Sequence, residues 1–110
     1  MGCINRVILV GQIGKYGVTV KYAPSGAPCA SFALELREQG QDGKPHTVYV
    51  ECECWGRKAE AASELEAGQL ALLEGKLAKR RKGETWEWVV SGFDLTALVQ
   101  PQPSMTGNPN

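Results

Sequence analysis

From Thr47 to Gly56 the side chains alternate with the two-residue period of a β-strand, and the alternation separates two chemically different faces. Val48, Val50, Cys52 and Cys54 fall on one face, and Tyr49, Glu51, Glu53 and Trp55 on the other. The first face suits a core. The second mixes large aromatics with charges, where a half-buried antiparallel strand normally shows water only small polar groups. Such a face is expected to be a stacking surface, carried by a sheet.

The other segments suit the same kind of sheet. Asn5 to Ile13 reads as a β-branched strand ended by Gly14, and Val18 to Tyr22 as a second strand after Lys15-Tyr16-Gly17. Pro24-Ser25-Gly26 marks a turn, and Pro28 to Leu36 alternates as a third strand. The polar loop Gln39 to Pro45 then precedes the aromatic strand. Arg57 to Glu66 has the only helical pattern, with Ala59, Ala62 and Leu65 on one stripe and Gly68 placed to end it. Gln69 to Lys79 and Thr85 to Val99 form a last strand pair joined across Arg80 to Glu84, with Gly92 expected at a bend or bulge. The order predicts an all-β fold, a five-stranded barrel with one short α-helix before the last hairpin. That is the oligonucleotide/oligosaccharide-binding (OB) architecture, in which long strands bend and count twice. A small sandwich is the alternative, but it does not call for a helix there.

A chain of 110 residues is expected to form one domain, here residues 1–99, with 100–110 as a disordered tail holding Pro101, Pro103 and Pro109. The longest apolar run, Val7 to Val10, is far short of the ~20 residues of a membrane-spanning helix, and the start lacks a signal-peptide plan. A cytoplasmic location and no membrane partner are expected. Cys3, Cys29, Cys52 and Cys54 have neither metal-ligand nor disulfide spacing, so free thiols are expected, Cys52 and Cys54 as small core residues. No cofactor, metal or small-molecule substrate is expected. Catalysis is expected least, because His46 is the only histidine and no nucleophile–base or phosphate-cradling motif accompanies it; it is expected in a solvated loop. Net charge is zero, yet Lys76, Lys79, Arg80, Arg81 and Lys82 place five of the twelve basic residues within seven positions.

Several motifs together resemble the bacterial single-stranded DNA-binding protein family. They are Asn5 to Gly14, Tyr22 to Gly26 followed by Ala30-Ser31-Phe32, Trp55 to Glu64, and Leu73-Glu74-Gly75-Lys76-Leu77. The likeness runs in order over residues 4–99 with short gaps. It implies an OB barrel, homotetrameric assembly, and base-stacking aromatics along basic grooves. By position, Tyr49 stands where the family has a tryptophan and Trp55 where it has a phenylalanine. Gly40 and Lys82 or Gly83 stand where two further tryptophan platforms are usual, so Trp86 and Trp88 are candidate replacements, with core or subunit packing as the alternative. Glu51 replaces a commonly basic residue, and with Glu53 it would repel phosphate and move the nucleic-acid path toward the hairpin tip. Val50 replaces a histidine that supports tetramer contacts. The last residues, Thr106 to Asn110, lack the acidic, Phe-containing tip through which the family recruits partners.

The expected function is sequence-tolerant binding of single-stranded DNA in replication, recombination or repair, in the nucleoid. Tyr49 and Trp55, with Trp86 and Trp88, would stack bases; Arg6, Lys21, Arg57, Lys79, Arg80, Arg81 and Lys82 would contact phosphates. RNA stays open as a variant, since stacking surfaces serve both polymers. The alternative is an OB-fold protein-interaction module, a replication-restart accessory with weak DNA or RNA binding, favoured by the zero net charge and the carboxylates. The first strand, apolar on both faces through Val7, Ile8, Leu9 and Val10, predicts a homo-oligomer, a tetramer or failing that a dimer.

Overall fold

Alternating apolar residues bounded by glycine and proline make strands of this chain almost throughout, and the computed structural model, which describes residues 2–99, contains six. They are β1 (Val7–Ile13), β2 (Thr19–Tyr22), β3 (Pro28–Gln39), β4 (Pro45–Trp55), β5 (Leu70–Lys82) and β6 (Thr85–Ala97), with one helix, α1 (Arg57–Ala62), between β4 and β5. The strands lie in the order β1-β5-β6-β4-β3-β2. The end of β1 also pairs with β3, Gln12 opposite Glu35 and Ile13 opposite Leu34, and this closes five strands into a barrel. The second strand takes the same edge of β3 further along, Thr19 opposite Ser31 through Tyr22 opposite Pro28. Together β1 and β2 behave as one long bent strand, as an OB barrel requires.

All pairings are antiparallel except the short parallel contact of β4 with β6, Cys52 opposite Val90 and Glu53 opposite Ser91. Because β4 and β6 run the same way, the β3–β4 and β5–β6 hairpins extend from the same end of the barrel. The core holds Ile13, Ala30, Phe32, Leu34, Cys52, Cys54, Leu73 and Val90, and α1 adds Ala59 and Ala62. Among the described residues no polar or charged side chain is buried. The barrel is held by apolar packing and by the strand ladders, whose hydrogen bonds satisfy the backbone in water-free surroundings.

Several boundaries differ from the sequence expectation. Arg80, Arg81 and Lys82 are strand residues, paired with Glu87, Trp86 and Thr85, so the connection shrinks to Gly83-Glu84, with Gly83 at φ 63°. The helix stops at Ala62 and not at Glu66. Ser63 Oγ donates to the Glu60 carbonyl at 2.6 Å, and the next amides make turn-type bonds, Glu64 to Ala61 and Leu65 to Ala62. That early stop lets Leu65 turn back onto the core and lets Gly68 N–H reach the Ile13 carbonyl at 2.7 Å. His46 is exposed as expected but lies in β4, opposite Glu38, and not in a loop. The expected irregularity at Gly92 is present: the β5–β6 register shifts between Glu74 and Gly75, leaving Phe93 as the extra residue. Gly75 is required there, since a Cβ would come within 2.2 Å of the Ser91 carbonyl oxygen. Residues 100–110, the expected tail, lie outside the described residues.

Candidate nucleic-acid interface

Strand β4 turns Cys52 and Cys54 fully into the core and leaves Tyr49 62% and Trp55 47% exposed on the outer side. The two rings are six positions apart in sequence, roughly 20 Å along an extended strand. Cross-strand neighbours extend this outer face. On β3, Glu35, Ala33, Ser31 and Cys29 stand opposite Tyr49, Glu51, Glu53 and Trp55. On β2, Thr19 and Lys21 stand opposite Ser31 and Cys29. Lys21 and Trp55 therefore share one row of side chains. Gly56, at φ 65°, turns the chain from β4 into α1 and puts Arg57, exposed, at the first helical position next to Trp55.

Glu51 and Glu53 do not face solvent as bare charges. Arg80 comes across from the β5–β6 hairpin and donates to Glu87 at 2.5 Å from Nε, to Glu53 at 3.4 Å from Nη1 and to Glu51 at 3.4 Å from Nη2. The hydrogen bond from Arg80 outweighs partial desolvation and holds the Glu87 carboxyl below its ordinary value. Burial works against the Arg80 cation, but its bonds to Glu87 and Glu53 overcome this and raise its pKa. Trp55 Nε1 donates to the other Glu53 oxygen at 3.3 Å, which ties the ring to the same network. One guanidinium thus compensates part of the acidic charge between the two aromatics, and its donors are already committed to carboxylates.

Beside this network runs an open groove of about 420 Å³ lined by Thr19, Lys21, Ser31, Arg80, Arg81, Lys82 and Glu87. It brings together four of the basic residues expected to meet phosphate: Lys21, Arg80, Arg81 and Lys82. Arg81 Nε donates to the Gly83 carbonyl at 2.9 Å. Arg6 lies outside this groove. It precedes β1, is exposed, and pairs with Glu74 of β5, Nε to Oε2 at 3.0 Å.

Trp86 and Trp88 are each 60% exposed, so neither is core. They stand on the β5–β6 hairpin, on the opposite side from the face that carries Tyr49 and Trp55. Val90 pairs with Cys52 and points into the barrel, so by alternation Trp88 and Trp86 continue the barrel-facing side of β6 beyond the barrel wall, whereas Glu87 and Ser91 continue the outer side. Lys79 and Arg81 are their cross-strand partners, and Lys79 Nζ sits 4.6 Å from the Trp88 ring centroid, within cation–π range. The tryptophans form a second aromatic and basic surface, separated from the first by the thickness of the hairpin.

At the other end of β4 a cavity of about 420 Å³ is lined by Gly14, Lys15, Tyr16, Gly17, Ala33, Glu35, Tyr49 and Glu51. Tyr16 was not among the sequence candidates. Its signal was present: an aromatic beside a lysine between two glycines, in a connection too short to bury it.

The thiols need no ligand. Burial pushes Cys52 up to about 12 and Cys54 up to about 11, while desolvation first and then nearby Glu53 raise Cys29. These three are neutral core or near-core groups, Cys3 being exposed, and no metal-binding cluster occurs among the described residues.

The profile of the Single-strand binding protein family matches residues 4–87. Over 80 residues the chain is 34% identical to Single-stranded DNA-binding protein 1 of Streptococcus pyogenes serotype M18, covering 70% of this chain and 61% of that protein. Over 74 residues it is 31% identical to a single-stranded DNA-binding protein of Thermus thermophilus, covering 67% of this chain and 28% of that protein. The chain thus spans less than two thirds of the length of these relatives. A closed five-stranded barrel, a helix before the last hairpin and a family profile matched from residue 4 to residue 87 agree, and the chain belongs to the single-strand binding protein family.

Proposed function

We propose that this protein binds single-stranded DNA without sequence specificity, as a binding protein and not an enzyme, in replication, recombination or repair. The observation that carries the proposal is the outer face of β4, where Tyr49 and Trp55 stand exposed beside a groove containing Lys21 and Arg80 to Lys82. Every base has a π-face, so stacking on these rings is sequence-tolerant, at about 1–3 kcal/mol per base. Phosphates along the strand meet Lys21, Arg57, Arg81 and Lys82, and counterion release makes the affinity fall with salt. Arg80 acts through the carboxylates: by compensating Glu51 and Glu53 it lets a polyanion cross β4 between the aromatics. Trp86, Trp88 and Lys79 offer a further stacking surface on the other side of the hairpin, suited to a strand that wraps over its tip. Arg6, paired with Glu74, lies at the margin of the path.

The protein works as a homo-oligomer, a tetramer or failing that a dimer. Ile8 and Val10 are 63% and 51% exposed on the outside of β1. From Val7 to Gly11 that strand pairs only with β5 in the described registers, so its other edge has backbone groups available to a second copy.

Titration of fluorescein-labelled oligo-dT by anisotropy at low and high salt tests the function. Binding that weakens with salt supports it, and no binding at low salt contradicts it. One observation favours a second reading, a protein-interaction module with weak nucleic-acid binding: three carboxylates surround Arg80, leaving the cluster net acidic. A matched RNA in the same titration distinguishes DNA preference from indifference to the sugar.

A further inference from the structure

We infer that the cavity between the Gly14–Gly17 connection and β4 is a seat for one unstacked nucleobase carrying an exocyclic amino group, with Tyr16 a stacking residue beside Tyr49. The inference rests on the single-stranded DNA-binding reading and deepens it. The cavity, about 420 Å³, is the size of a small-ligand cleft, for which roughly 300–1,000 Å³ is usual. Its aromatic walls are Tyr16, 87% exposed, and Tyr49. Gly14, Gly17 and Ala33 also line it, small residues that leave room for a flat ring near the backbone. The Gly14 amide donates to the Ala33 carbonyl at 2.9 Å, which fixes the connection against β3.

The polar lining then selects the ligand. Glu35 and Glu51 line the cavity as hydrogen-bond acceptors, so a base edge carrying N–H donors fits it better than a phosphate, which has only acceptors to offer. Lys15, whose Nζ lies 5.2 Å from the Tyr16 ring centroid, also lines the cavity and supplies a cation for the phosphate backbone of the seated nucleotide. Each carboxylate is held by one arginine, Glu35 by Arg37 Nε at 3.1 Å and Glu51 by Arg80 Nη2 at 3.4 Å, and each keeps acceptor capacity for another N–H. Cytosine offers its N4 amino group as a donor, whereas thymine presents the O4 acceptor at that position, and carboxylates pair with the former. The seat therefore superimposes a preference for amino-bearing bases on an otherwise tolerant surface.

The test compares oligo-dC and oligo-dT of equal length on the full chain by anisotropy. The wild type is expected to bind oligo-dC at least about fivefold more tightly, within the discrimination a carboxylate–amino contact supplies. Tyr16→Ala should weaken oligo-dC binding about five- to hundredfold, Tyr16→Phe should preserve it, and Glu35→Gln should shrink the dC/dT ratio. Thermal melts confirm that the variants fold. Equal wild-type affinity for the two oligonucleotides, or an unchanged affinity in Tyr16→Ala while the wild type binds, overturns the inference and leaves the general function standing. No binding of either oligonucleotide overturns both.

Discussion

Arg80 stands among Glu51, Glu53 and Glu87, and the charge balance of the β4 face depends on that one side chain. Removing it leaves three carboxylates close together, so Arg80→Gln should weaken oligo-dT binding more than Arg81→Gln, as read by anisotropy. Its effect on stability should depend on pH. The folded-state pKa of Glu87 is below the ordinary 4.5, so its contribution is present above that value and is lost as pH falls through the lower folded value. The stability gap between wild type and Arg80→Gln in urea melts should therefore be open at neutral pH and close in acid. The buried thiols have the opposite sign. Cys52 and Cys54 titrate near 12 and 11 against an ordinary 9.0, so their contribution holds below about pH 9 and fades as pH climbs toward 12. A thiol reagent at neutral pH should label exposed Cys3 quickly and reach Cys52 and Cys54 only on unfolding. That these two pack in the core was legible from strand alternation alone. The role of Arg80 was not, because two of its partners lie 29 and 27 residues away and meet it only through the β4–β6 contact.

The β5–β6 hairpin shows what local pattern leaves out. A run of Arg80-Arg81-Lys82 before glycine resembles a solvated turn, yet the ladder continues through Lys82 because Trp86, Glu87 and Thr85 are strand formers or charge partners across from it. Cross-strand partners, not composition, decide where such a hairpin ends. The same ladder decides which side each tryptophan takes. Spacing shows that Trp86 and Trp88 share a face, but which face follows from Val90 opposite Cys52, a pairing between distant segments. The bulge at Phe93 was legible because Gly92 interrupts an otherwise continuous strand. Its counterpart Gly75 gives a test: Gly75→Ala drives a methyl against the Ser91 carbonyl and the Gly92 Cα. It should cost about 1–3 kcal/mol in urea unfolding, the range for overpacked sites. Destabilisation within error of zero would mean that the strands separate there at no cost.

Across the whole molecule, alternation, turn residues and one helical stretch were enough for a closed β-barrel with a helix before its last hairpin. Barrel closure itself, β1 against β3, joins segments whose sequences contain no sign of each other. Assembly belongs to this scale too. Ile8 and Val10 lie exposed beside a strand edge, so Ile8→Glu with Val10→Glu should reduce the particle mass to a monomer in light scattering while the wild type remains a multimer. A monomeric wild type would leave that apolar edge unexplained. The aromatic strand tests the function most directly. Anisotropy titration of labelled oligo-dT against wild type, Tyr49→Ala and Trp55→Ala, at low and high salt, should show each substitution weakening binding by about 1–3 kcal/mol. The unfolding midpoints should be unchanged, since both rings are exposed, and the wild-type affinity should fall with salt. Equal affinities for all three proteins would contradict the assignment of this face.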